Sequence, residues 1–196
     1  QTWFRRPPCP GWAREVHAWQ QIHINSPEDE LRCRYRDLVR YGRDCAEHGV
    51  AAIQLTGWTL GGQDRGNPSH DPDPRLGTAE ELREAIAAIR KMGVRTVLFN
   101  KYTWADRSTA WFREELQRWA TKDPYGDYHL HPGYPYQTPT QLTDINTRRL
   151  IPMCHNAPAW REIACREFRK GIDLGADGML YDESQHHGPG TMCFDP

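Results

Sequence analysis

Apolar positions along the chain repeat with two alternating periods. Val50-Ala51-Ala52-Ile53-Gln54-Leu55-Thr56 and Val94 to Phe99 are short, nearly continuous apolar runs, the pattern of parallel strands covered on both faces. Between them Leu82, Ala85, Ile86, Ile89 and Met92 recur at helical spacing, after a capping box at Thr78-Ala79-Glu80-Glu81 and before Gly93. Upstream, Val16 to Ile24 predicts a first strand, polar for a buried one. Ser26-Pro27-Glu28-Asp29 predicts a helix start with Ser26 as cap; Leu31, Tyr35, Leu38, Val39 and Ala46 form its inner stripe and Gly49 ends it. Downstream, Ser108 to Ala120 predicts a shorter helix carrying Trp111, Phe112, Leu116 and Trp119. A last helix is expected from Ala157 to Leu174, capped by Asn156 and stopped by Gly175. Gly178-Met179-Leu180-Tyr181-Asp182-Glu183-Ser184 then reads as a short strand that ends in two carboxylates.

Strand and helix alternate with short links after the helices, which implies parallel strands joined by crossovers. The links after strands are long, notably 57–77 and 122–150. That asymmetry belongs to a (β/α)8 barrel, whose functional face lies at the C-terminal ends of its strands. The expected fold class is therefore α/β, of the (β/α)8 TIM-barrel type. About four β/α units fit the length, against roughly 250 residues for a whole barrel. One partial catalytic-barrel domain is expected over 1–196. Strands one and two fall within 16–56 and the next units within 78–120. A hairpin inserted between the third and fourth barrel strands occupies 122–154, and the last helix and acidic strand occupy 157–184. Half a barrel leaves open strand edges and an uncovered sheet face, so the remainder is expected from a longer chain or a second chain. A small open α/β sheet is the structural alternative.

Composition narrows the function classes. Hydrophobic content of 38% is low for a self-sufficient domain, while eight Trp and eight Tyr are many. Aromatic excess among polar residues suits carbohydrate sites and ordinary interfaces alike. A net charge of −1 gives no reason to expect nucleic acid or an anionic membrane as partner. No apolar run approaches the roughly 20 residues that span a bilayer. Gln1 is not an initiator Met, so the start reads as processed, trimmed or internal. The six cysteines contain no Cys-x-x-Cys pair and are expected to be mostly free thiols, with Cys33 and Cys45 too far apart along one predicted helix to bond. Seven histidines invite a metal reading: His17, His23, His129, His131, His155, His186 and His187. His129-Leu130-His131 and Cys154-His155 have ligand-like spacing, yet no carboxylate-and-His set sits on successive strand ends. No metal or cofactor is expected.

A strand that ends in acid directly after its apolar run is costly unless the acid has a task. Strand alternation places Leu180 and Asp182 on one face and Met179, Tyr181 and Glu183 on the other. Asp182 is thus a candidate nucleophile or base. Glu183 is a second candidate catalytic carboxylate, directed away or into the next loop. Adjacent strand residues do not easily form the facing pair, about 5–5.5 Å apart, of a retaining glycosidase. An acidic cap or a loop ion pair is the structural alternative for both. The third strand opens into Asn100-Lys101-Tyr102-Thr103-Trp104-Ala105-Asp106. Asn100 and Lys101 are candidates for hydrogen bonds to sugar hydroxyls, and Trp104 for stacking on a ring. The alternative packs Trp104 under the hairpin and pairs Lys101 with Asp106. His186, just beyond the acidic strand end, is a further candidate lining residue.

The remaining landmarks come in order: Thr56-Gly57-Trp58, the acidic Gly-rich loop holding Asp64, Asp71-Pro72-Asp73-Pro74, Gly77 with Leu82, Gly93-Val94 to Phe99, and Gly175-Ala176-Asp177 through Asp182. Over 50–184 this series resembles the retaining α-galactosidases and their relatives in the same barrel clan. The resemblance implies a glycoside hydrolase barrel with Asp182 as nucleophile on its fourth strand, and Trp58 and Asp64 as substrate contacts. It also implies an acid/base on a sixth strand, outside this chain. Two departures stand out: Leu180 occupies the place of the family's Lys, two residues before the nucleophile, and the Trp58 loop lacks a paired Asp-Asp. The chain thus resembles a separate branch of the barrel glycosidases. Three functions are weighed: a retaining glycoside hydrolase, a catalytically inactive carbohydrate-binding barrel with Trp58 and Trp104 as platforms, and a metal-dependent hydrolase.

Overall fold

A computed structural model describes residues 8–26, 29–129, 149–183 and 192–194. Four strands, β1 (Trp19–His23), β2 (Ala52–Thr56), β3 (Arg95–Asn100) and β6 (Gly178–Tyr181), form one parallel sheet in the order β1-β2-β3-β6. The order follows the chain without reversal, as in a barrel; open doubly wound sheets reverse at a switch point. The helices that join these strands are α2 (Leu38–Glu47), α3 (Ala79–Lys91) and α5 (Pro158–Asp173). A short α1 (Gly11–Arg14) precedes β1, and its Trp12 lies beside Gly178 at the entry of β6. Between β3 and α5 comes an antiparallel pair, β4 (Trp104–Asp106) with β5 (Leu150–Pro152), and the helix α4 (Ala110–Glu114). Residues 130–148 of the expected hairpin, and His131 with them, lie outside the described residues. Among the described residues no helix is long and apolar enough to cross a membrane.

Period-2 alternation sorts the sheet into two faces. Ile53 and Leu55 of β2 and Leu98 of β3 point at the helices, where they meet Leu38, Leu82, Ala85, Ile86 and Ile89 in one buried cluster. The opposite face carries Gln21, Gln54, Val97 and Gly178 in one register row, and Phe99 with Leu180 in the next. Gln21 and Gln54 each donate a hydrogen bond to the Thr56 hydroxyl. One face is thus aliphatic against the helices, and the other mixes the two glutamines with Val97, Phe99 and Leu180. A second cluster of Ala105, Phe112, Leu116, Ile151, Met153, Trp160 and Ile163 holds the β4–β5 pair against α5.

The capping box at Thr78 forms as expected, Glu81 accepting from the Thr78 amide and the Thr78 hydroxyl from the Glu81 amide. Three local expectations are corrected. The first helix does not start at Ser26: a single helical turn at Tyr35–Asp37 leads into α2. Asp29 stands at φ 67°, clamped by Arg75 and by the Asn25 amide, so the segment loops back and leaves Leu31 exposed. Cys33 accordingly lies ahead of the helix, Ala46 is exposed, and Gly42 and Cys45 take the buried stripe. The helix expected over Ser108–Ala120 breaks at Glu115, after which a tight turn at Leu116–Trp119 carries Leu116 into the second cluster. The last helix starts from Ala157 and Pro158 with no side-chain cap, so Asn156 does not serve. All six cysteines are free thiols.

Gly57 governs the exit of β2. It sits at φ 72°, and a Cβ there would lie 2.0 Å from the Asn25 carbonyl oxygen. Gly57→Ala therefore combines a left-handed backbone with a backbone clash and is expected to destabilise the fold by about 3 kcal/mol or more, read from denaturant melts.

Candidate active site

The residues of the candidate site lie in the segments that follow the parallel strands β2, β3 and β6. After β2, the Trp58 ring is driven fully inside, at 0% exposure. Its indole N–H donates to the Phe99 carbonyl at 2.8 Å, and its own carbonyl accepts from the Tyr35 hydroxyl at 2.6 Å. Since further chain could only cover it more, Trp58 is an anchor of the loop and no sugar platform. His70 stacks between Trp58 and Tyr102, with ring centroids 6.0 and 4.6 Å away. Its Nδ1–H donates to the Pro68 carbonyl at 2.7 Å, so Nε2 accepts from the Lys101 amide at 3.3 Å. Its own amide donates to Glu167 of α5, a carboxylate that also binds Lys170. The loop after β2 is in this way fixed to both β3 and the last helix.

Lys101 follows β3 and reaches back under this loop. Its ammonium, 4% exposed, lies 2.7 Å from Asp64 Oδ1 and 2.6 Å from Glu183 Oε2. Burial alone would lower its pKa; the Asp64 charge and the hydrogen bonds to Asp64 and Glu183 outweigh that and raise it. Both carboxylates stand on left-handed backbone, Asp64 at φ 60° and Glu183 at φ 53°. Such conformations cost of order 1–3 kcal/mol in non-glycine residues and persist where surroundings over-determine them. The turn at Glu183 explains a departure from strand alternation. Instead of facing away from the Asp182 rim, its side chain swings to Lys101 and to the Trp104 indole, whose Nε1–H donates to Oε2 at 2.7 Å. Its carbonyl accepts from the Thr103 hydroxyl at 2.9 Å.

Asp182 continues the ladder by donating its amide to the Asn100 carbonyl at 2.9 Å, which leaves its half-buried carboxyl at the rim. Burial pushes this carboxyl up, the Lys101 charge pulls it back, and Glu183 and Asp64 add to the rise. The structure therefore brings Asp64, Lys101, Asp182 and Glu183 together. Asn100 is excluded from the mouth: it is fully buried on the helix-facing row, donating to the Leu98 carbonyl and accepting from the Tyr102 hydroxyl. Trp104, also at 0% exposure, packs beneath the β4–β5 pair and offers no open ring. Asp106 pairs with the Gly66 amide and Arg149, not with Lys101. His186 lies outside the described residues, and among those described no three His, Cys, Asp or Glu side chains converge as metal ligands would.

His70 and Glu167 were not singled out by the sequence. A signal existed for Glu167, which occupies the buried stripe Trp160, Ile163, Glu167, Gly171 of an otherwise amphipathic helix. Burial holds the His70 imidazole down to about 4, against its hydrogen bond to the Pro68 carbonyl and the Glu167 charge. Its folded pKa lies below the ordinary value, so the unfolded chain binds the extra proton. The stabilisation is present above about pH 6.5 and is lost as pH falls toward 4. Over that window the loss amounts to up to about 3 kcal/mol. Denaturant melts across the window should show this slope in the wild type and lose most of it in His70→Gln.

Comparison with solved structures finds the same fold within parts of larger proteins. The α-N-acetylgalactosaminidase of Bifidobacterium bifidum superposes with a TM-score of 0.70 at 18% identity, covering 91% of this chain and 29% of that one. A cyclic α-maltosyl-(1→6)-maltose hydrolase from Arthrobacter globiformis gives 0.64 at 18%, over 90% and 46%. The α-galactosidase of Thermus thermophilus gives 0.61 at 17%, over 83% and 29%. The chain spans 29–46% of the length of these structures, and its fold is part of an α/β barrel like theirs. No curated protein matches the sequence. A family model matches residues 2–196, and the chain belongs to that family, DUF6259, a domain of unknown function.

Proposed function

We propose that this chain is the first part of a retaining glycoside hydrolase barrel acting on a carbohydrate, with Asp182 as nucleophile. The observation that carries the reading is the place of Asp182: end of the fourth parallel strand, on the sheet face opposite the helices, its carboxyl half-buried at the rim. A carboxylate oxygen of Asp182 attacks the anomeric carbon while the glycosidic C–O bond breaks and a proton donor protonates the leaving oxygen. Water then releases the glycosyl-enzyme with return of the proton.

Glu183 is not that donor in this reading. Its carboxylate is taken up by the Lys101 ammonium and the Trp104 indole, so it is turned to the protein rather than to a leaving oxygen. The acid/base comes instead from the remainder of the barrel, in a longer chain or a second one, and the site is complete only there. Asp64 has one carboxyl oxygen on Lys101 and the other buried, so in this reading it supports Lys101 and its neighbours rather than meeting the sugar. The non-catalytic reading drew on Trp58 and Trp104 as platforms, and their burial weakens it.

The test is hydrolysis of a panel of aryl α- and β-glycosides by the protein with its complete barrel, beside Asp182→Asn. Hydrolysis of one sugar type is expected, falling by roughly 10³-fold or more in the variant with its fold intact. A complete barrel that cleaves none of them, yet retains sugars in affinity electrophoresis, would turn the assignment to carbohydrate binding.

A further inference from the structure

Lys101 was a candidate sugar contact, but its ammonium is already committed. Two of its three protons go to Asp64 and Glu183 at 2.7 and 2.6 Å, and its backbone amide is held by His70. The two carboxylates it joins come from opposite sides of the rim, one from the loop after β2 and one from the turn after β6. Neither would keep a left-handed backbone without a strong partner, and Lys101 is the partner they share. Asp182 belongs to the same turn as Glu183. Whatever fixes Glu183 fixes the direction of its neighbour.

Resting on the glycosidase reading, we propose that Lys101 is the positioning residue of this site: it touches no sugar, ties the Asp182–Glu183 turn to the loop after β2, and keeps a positive charge beside the attacking carboxylate. Among the described residues, the charged groups facing Asp182 are Lys101 from the end of β3, Asp64 from the loop after β2, and Glu183 from its own turn. Without the ammonium, three carboxylates would face one another, and Asp182 would hold its proton to higher pH. Without Asp64, Asp182 would lose a negative neighbour and release its proton more readily. The two substitutions therefore act with opposite sign, which a packing role for Lys101 would not produce.

The experiment compares Lys101→Met, Lys101→Arg and Asp64→Asn in the intact protein through the pH profile of kcat/KM. Lys101→Met should move the acid limb to higher pH and lower kcat by about tenfold or more with KM nearly constant. Asp64→Asn should move the limb to lower pH, and Lys101→Arg should restore most of the wild-type profile. Acid limbs that stay at the wild-type pH in both neutral variants would overturn the proposal. A rise in KM with unchanged kcat in Lys101→Met would do the same, since Lys101 would then be binding substrate. Asp64→Asn carries the comparison if Lys101→Met does not fold. A ¹³C NMR titration of the Asp182 carboxyl gives the same answer without turnover. Opposite displacements in a protein that cleaves no glycoside would uphold the electrostatic clamp and reject the glycosidase reading; an undisplaced titration rejects the clamp itself.

Discussion

Taking an ammonium out of water costs several kcal/mol, and the cost is recovered only where opposite charges and hydrogen bonds take the place of water. Lys101 meets that condition through two carboxylates at hydrogen-bond distance, in a place that none of them would occupy alone. The loop after β2, the end of β3 and the turn after β6 are neighbours because their strands run parallel and side by side, and this one charge joins them. The rest of the rim is organised around it. Trp104 and Thr103 complete the coordination of Glu183, and His70 holds the Lys101 backbone.

The sheet beneath explains why the rim can be polar. On the helix side, aliphatic residues of β2 and β3 interlock with α2 and α3, and that layer supplies the hydrophobic stabilisation. On the other side, Gln21, Gln54 and Thr56 bond to one another, so the face is satisfied without being apolar. The polar residues that make β1 read as a weak strand are thus paired on the sheet face opposite the helices, beside Val97, Phe99 and Leu180.

Much of the scaffold was legible in sequence because it depends on local signals. The capping box at Thr78, the stripe from Leu82 to Ile89 and the helix stop at Gly175 all follow from neighbours within a turn or two. The misread parts depend on distant partners. Ser26 had the chemistry of a cap, but Arg75, 46 residues beyond Asp29, pulled the segment out of helix. Lys101 and Asp182 could be named from strand ends and Asp64 from the family resemblance, whereas the direction of Glu183 could not, because period-2 alternation fails at a positive φ. Trp58 and Trp104 have the composition of a sugar site and the burial of a core; an indole whose N–H finds a buried acceptor is as content inside as at a mouth.

Glu167 and Lys170 join α5 to the loop after β2 across 97 and 99 residues of chain, through the His70 amide and the Asp71 carboxylate. During synthesis, β1, β2 and β3 with their helices can pack as they emerge, since their contacts are with near neighbours. The loop that carries Asp64 can take hold of Tyr35, Phe99 and Lys101 at that stage. Its ties to Glu167 and Lys170 come only when α5 has left the ribosome, so the rim is the last part to be secured.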